Sequence, residues 1–117
     1  MKSVEGGIPE RLLRRVQACK DALGGIGVVL PGTVTARYVP CGKKGCRCQG
    51  RPPKLHGPYH QWTRKVSGKT WTVRLTKEEA RIYRGWIRAA RHLEGLVAAW
   101  HAVGIEAAEL IRKKRRH

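Results

Sequence analysis

Apolar residues recur along this chain at helical period near both ends and at strand period between them. Leu12, Val16, Cys19 and Leu23 follow one another at steps of 4, 3 and 4, which places them on one face of a helix. Pro9 suits a first-turn position and Gly24-Gly25 suits a terminus, so the helix is expected to open at Pro9 and end at about Leu23. Cys19 shares the apolar stripe and reads as a core thiol.

The segment Gly24 to Gly32 is a connector with an apolar part, Ile26, Val28, Val29 and Leu30, that a short buried strand or an irregular linker would fit equally. Alternation of Val34, Ala36 and Tyr38 with Thr35 and Arg37 predicts a strand over Thr33–Val39, which Pro40 stops. Gln49 to Gly57 contains Arg51, Pro52, Pro53 and Lys54 and is too rich in proline for regular structure. A hairpin is predicted next, with strands Tyr59–Val66 and Lys69–Leu75 joined by Ser67-Gly68. That register sets Trp62 opposite Val73 and Arg64 opposite Trp71. Trp62, Val66, Trp71, Val73 and Leu75 then share a face and are expected in the core, while Tyr59, Gln61, Thr63, Lys65, Thr70, Thr72 and Arg74 occupy the other.

Thr76-Lys77-Glu78-Glu79 matches a capping box and predicts the start of a long helix. Its expected apolar stripe is Ile82, Trp86, Ala89, Leu93, Val97 and Trp100. Lys77, Arg81, Arg84, Arg88 and Arg91 line the opposite side, where like charges at this spacing repel one another. Gly85, Gly95 and Gly104 weaken the helix, so a bend or end is expected near Gly104. An unbroken helix to Arg112 would exceed roughly 50 Å at 1.5 Å per residue, and would point to a homodimer joined through it. The fold class expected is α+β: an N-terminal helix, a three-stranded antiparallel sheet interrupted by a zinc knuckle, and a long C-terminal helix packed on the sheet. Residues 1–110 are expected to form a single small domain and residues 111–117 a loose basic tail.

Charge changes the picture. The 117 residues hold 25 Lys+Arg against 8 Asp+Glu, a net charge of +17. No acidic residue occurs between Asp21 and Glu78, where Arg37, Lys43, Lys44, Arg47, Arg51, Lys54, Arg64, Lys65, Lys69, Arg74 and Lys77 all fall. Solvated faces usually mix both signs, so a polyanion is the expected partner. No stretch approaches the ~18–20 apolar residues of a membrane span, and no membrane partner is expected.

The most chemical stretch is Cys41-Gly42-Lys43-Lys44-Gly45-Cys46-Arg47-Cys48, with His56 eight residues further on. Three thiols within eight residues, among glycines and bases, are poorly suited to packing and well suited to a metal. Zn²⁺ takes four such ligands in a tetrahedron, and Gly42 and Gly45 would ease the tight backbone this needs. Lys43, Lys44 and Arg47 are expected to favour the thiolates. Cys41, Cys46, Cys48 and His56 are the expected ligands, with His60 as a substitute for the last and a partner chain as a further source. Residues 1–10 lack the apolar core of a signal peptide, so a reducing cytoplasm is the expected setting and disulfides are disfavoured. Free thiols, a redox pair and an iron–sulfur cluster are the alternatives to zinc. With four ligands supplied, the metal would be structural, and no acidic residue lies beside it to act as a general base.

Taken together, Tyr38-Val39-Pro40 and the knuckle, His56-Gly57-Pro58-Tyr59, Gly68-Lys69-Thr70 and Leu75-Thr76-Lys77-Glu78-Glu79-Ala80 resemble a family of short basic prokaryotic proteins of unknown function, over roughly Gly32 to Leu96. The resemblance implies the knuckle, the hairpin, the long helix and a setting near transposases and other mobile elements. It implies no activity. The strongly basic tail departs from the family pattern.

These observations converge on a non-enzymatic nucleic-acid-binding accessory protein, for DNA or structured RNA, in a mobile-element or ribonucleoprotein complex with a transposase-like or ribonucleoprotein partner. The expected contacts are Lys43, Lys44, Arg47, Arg51 and Lys54 around the knuckle, Tyr59, Lys65 and Arg74 on the hairpin, Arg81, Arg84, Arg88 and Arg91 on the helix, and Arg112, Lys113, Lys114, Arg115 and Arg116 in the tail. Two alternatives stand beside this: an adaptor that dimerises or docks through its long helix, and a zinc-dependent nuclease or thiol oxidoreductase.

Overall fold

The computed structural model describes residues 7–115. Elements follow in the order α1 (Glu10–Leu23), β1 (Thr33–Val39), a single 3-10 turn (Arg47–Gln49), β2 (His56–Val66), β3 (Lys69–Leu75) and α2 (Lys77–Arg115). The strands form one antiparallel sheet in the order β1-β2-β3. This is the expected α+β architecture. Two compact groups of residues make it up: α1 with the part of α2 from Ala89 onward, and Val29–Arg88.

In the first group Leu12, Cys19 and Val103 are buried, and Arg15 pairs with Glu106. Cys19 is thus the core thiol its stripe predicts. Pro9 occupies the N-cap rather than the first turn, and Gly24-Gly25 close the helix as expected.

The connector Gly24 to Gly32 forms no strand; in the second group its Leu30 amide donates to the Trp86 carbonyl at 3.1 Å instead. The hairpin register is the predicted one, with Trp62 opposite Val73 and Arg64 opposite Trp71. Ser67 and Gly68 both take positive φ, at 50° and 79°, as a two-residue turn matched to strand twist requires. The capping box closes in both directions: the Thr76 amide donates to Glu79 at 2.9 Å and the Glu79 amide to the Thr76 hydroxyl at 3.1 Å. Leu75, Ala80 and Ile87 are buried, and Tyr83 meets Trp62 edge-on at 5.5 Å while stacking on Trp86 at 5.6 Å. The first turns of α2 therefore cover the sheet at its Trp62 and Leu75 end.

Four expectations change. Strand β2 begins at His56, not Tyr59, because a bulge between Arg37 and Val39 lets Val39 pair with His56. Trp71, Val73 and Val66 are not core: they are 56, 47 and 37% exposed, since α2 covers only the other end of their face. Helix α2 does not end at Gly104 but runs for 39 residues, about 58 Å. Its three glycines each cost about 1 kcal/mol, and the alanine, leucine, glutamate and arginine residues around them outweigh that. The helix therefore includes Arg112 to Arg115, expected to be loose, while Arg116 lies outside the described residues. Nor is one continuous stripe of α2 buried, because different elements cover its two parts. Trp86, Ala89, Leu93 and Trp100 of the expected stripe are half-buried, Ala80, Ile87 and Val103 are the buried residues of the helix, and Ile82 and Val97 stay 36 and 41% exposed.

Candidate functional site

The cysteine stretch begins where Pro40 ends β1. Cys41 is the next residue, and the chain then turns back, the Cys46 amide donating to the Lys43 carbonyl at 3.3 Å with Gly45 at φ +82°. Gly42, expected to share that role, does not take positive φ. The 3-10 turn tucks Cys48 inward, where it is 2% exposed. His56 arrives from the far side through the Val39–His56 pair. A bulge in the sheet thus delivers the ligand most distant in sequence.

The four donor atoms of Cys41, Cys46, Cys48 and His56 lie within 4.8 Å of one another. Cys41 and Cys48 Sγ are 3.6 Å apart, close to the ~3.8 Å edge of a tetrahedron of thiolates at ~2.3 Å from a zinc ion. Cys46 Sγ and His56 Nε2 are 3.1 Å apart. The Cys41 amide donates to Cys48 Sγ at 3.3 Å, and the Gln49 side-chain amide ties down the Cys41 carbonyl at 3.4 Å. All four cysteines are free thiols. Three sulfurs and one imidazole nitrogen at these separations could hold a metal ion and leave no protein-facing position open.

Electrostatics prepare the cluster for a cation. The Cys46 thiol is lowered from 9.0 to about 6, chiefly by the Cys48 backbone amide and then by His56 and the two neighbouring thiols, partly offset by burial. Cys46 is therefore thiolate at neutral pH. The Cys41 amide pulls Cys48 down, but burial and the thiols of Cys41 and Cys46 together push it above its usual value. Lys43, Lys44 and Arg47, expected to acidify the thiols, are exposed and contribute nothing to either shift. His60, the substitute ligand, is not in the cluster; it sits opposite Leu75 in the sheet.

His60 instead belongs to a second feature, a cleft of about 480 Å³ lined by His60, Lys77, Glu78, Arg81, Arg84 and Arg88. The capping box aligns this cleft, because it fixes where the helical stripe starts relative to the end of β3. Glu78 is engaged by Arg81 through two hydrogen bonds, which lower its carboxyl below the ordinary range. Lys77, Arg84 and Arg88 pair with no carboxylate among the described residues. His60 Nδ1 is buried there without a hydrogen-bond partner. Lys77, Glu78 and His60 were not among the expected contacts; the His60–Leu75 register, one residue before the capping box, is the signal that places them.

The other expected contacts are dispersed. Lys43, Lys44, Arg47, Arg51 and Lys54 are exposed around the knuckle. Arg74 stacks its guanidinium 4.1 Å above the Tyr59 ring, so these two occupy each other, with Lys65 exposed on the same face. Arg91 is exposed beyond the cleft lining. Arg112 is held by Glu109 at 2.7 Å, Lys114 reaches the Gly7 carbonyl at 3.4 Å, and Lys113 and Arg115 are exposed. No helix among the described residues is long and apolar enough to cross a membrane.

No curated protein and no solved structure matches the chain. One family does, over residues 9–84, a span that takes in α1, the whole sheet, the four-ligand cluster and the first turns of α2 as far as Arg84. By that match the chain belongs to the DUF6788 family, a domain of unknown function.

Proposed function

We propose that this protein binds nucleic acid, using a zinc-held knuckle and the neighbouring helix as a rigid basic surface, as an accessory component of a mobile-element or ribonucleoprotein complex. The observation that carries this is the cleft in which Lys77, Arg81, Arg84 and Arg88 converge with a single carboxylate among them. Four like charges on one short stretch of helix repel one another, and a row of phosphates relieves that repulsion. The cysteine–histidine cluster supports zinc, since a Cys3His set forms closed structural sites with that ion. The metal's role is then mechanical: it holds Lys43, Lys44 and Arg47 in place against a backbone. Such contacts position a nucleic acid without reading its sequence.

The test is the salt dependence of binding. Engagement of ~6–8 phosphates gives a slope of log affinity against log salt of about −5 to −7 on duplex DNA. A slope near −1 rules the proposal out. A second reading, an adaptor or homodimer joined through α2, is favoured by Val97, Ile105 and Ile111, which are 41, 66 and 50% exposed on a 39-residue helix. It predicts a stoichiometric protein complex that persists in high salt.

A further inference from the structure

Helix α2 covers the Trp62 and Leu75 end of the sheet's apolar face, but its hairpin end is left open. Trp71 is 56% exposed, with Val73 and Val66 beside it at 47 and 37%. On this face Arg64 lies directly opposite Trp71, and Lys69 opposite Val66. The Arg64 guanidinium leans inward over the Trp62 ring, 5.1 Å from its centre, which leaves the Trp71 ring open. Trp71 stacks on no other ring and under no cation among the described residues. It also lies on an edge strand, where an uncovered indole invites aggregation. A flat aromatic surface between cations in such a place is matched by a partner that is itself flat, aromatic and anionic.

The charged side chains of the hairpin narrow the choice. From Tyr59 to Leu75 they are Arg64, Lys65, Lys69 and Arg74, all basic. A second copy of this chain would bring like charges together. A base with its phosphates supplies both the stacking ring and the counter-charge.

We propose that the Trp71 face of the β2–β3 hairpin stacks on an unpaired base, so that the nucleic acid bound here carries a single-stranded or bulged segment. This rests on the nucleic-acid reading above and adds a substrate class to it. Paired bases in a duplex present only their edges to a protein, and a stacked ring needs one that is splayed out. The basic cleft then tracks the backbone while the hairpin takes the base.

The experiment measures anisotropy of a labelled duplex, the same duplex with a run of unpaired thymines, and that duplex with abasic sites in the unpaired run. Full-length protein is compared with Trp71→Thr, which keeps strand propensity, and Trp71→Tyr, which keeps a ring. Removing a stacking aromatic costs about 1–3 kcal/mol per base, so Trp71→Thr is expected to lose roughly 5- to 150-fold on the unpaired-thymine probe. Trp71→Tyr retains most of the affinity, the plain duplex is unaffected by either change, and the abasic probe binds both variants and the natural protein alike. Unchanged binding of Trp71→Thr to unpaired thymines, with steep salt dependence intact, overturns the stacking inference and leaves nucleic-acid binding standing. Equal losses on all three probes also overturn it, because the residue then acts through the fold or through a protein surface. Absence of salt-dependent binding to any probe removes both proposals together.

Discussion

Gly57 joins the metal cluster to the sheet, and replacing it with alanine tests whether that junction is as tight as it looks. The residue sits at φ +138°, immediately after the ligand His56. A Cβ there would meet the Arg37 carbonyl oxygen at 2.6 Å, with the Tyr38 ring and the Tyr59 amide nitrogen each at 3.2 Å. Two penalties follow. Holding a residue with a side chain at such a φ costs about 1–3 kcal/mol, and making room against a backbone carbonyl costs about 1–3 kcal/mol more. The carbonyl belongs to the β1–β2 ladder at the Arg37–Tyr59 pair and can withdraw only by opening that ladder. Gly57→Ala is therefore expected to lose at least ~2 kcal/mol, roughly 8 °C or more in Tm for a unit of this size. Gly68→Ala is the control, since Gly68 is also at positive φ, +79°, but an added Cβ meets nothing within 4 Å. It should show the backbone penalty without the clash. Thermal unfolding of both variants, with and without a chelator, gives the comparison, and zinc competition reports whether His56 has shifted. Equal Tm losses for the two alanines, with zinc affinity unchanged, would refute the reasoning.

Three other outcomes are expected. Cys48→Ser should abolish zinc binding and lower the Tm below that of the chelated natural protein, read by native mass spectrometry and calorimetry, because the lost ligand is also one of the few fully buried side chains; a metal-free variant as stable as the zinc-loaded protein would refute a structural metal. In the metal-free protein, Cys46 is lowered to about 6 against 9.0 for a free thiol, so its contribution to stability is complete above pH 9, declines as pH falls and is gone below about pH 6. Cys48 is shifted upward and its contribution fades only above pH 9, so denaturant unfolding between pH 9 and 6 should show a decline that Cys46→Ser flattens. Thr76→Ala removes one half of the capping box and should cost about 1 kcal/mol by denaturant midpoint, with a weaker grip on nucleic acid if the cleft loosens at the first turn of α2.

Much of this protein is legible in its residues because the deciding interactions are local. Leu12, Cys19 and the Gly24-Gly25 stop define α1; Ser67-Gly68 defines the hairpin and its register; Thr76 and Glu79 define where α2 begins. Each is set within about four residues of chain by backbone conformation and hydrogen bonding, and each appears in the structure where the pattern places it. The three cysteines are similar, since the turn at Gly45 and the 3-10 turn at Arg47–Gln49, both local, fold a stretch that could extend over roughly 20 Å back on itself. What residues alone leave undecided is which surfaces meet. Periodicity puts Trp71, Val73 and Trp62 on one face but cannot say how far α2 extends over it, and Trp62 is covered while Trp71 is not. The same limit applies to Ile82 and Val97, which share a helical stripe with covered residues and stay exposed. His56 is the nearer candidate ligand by spacing, but spacing leaves His60 as a substitute. A bulge opposite Val39 brings the first to the thiols, and the strand register sends the second to the cleft, because burial and ligation depend on distances between segments that local pattern does not encode.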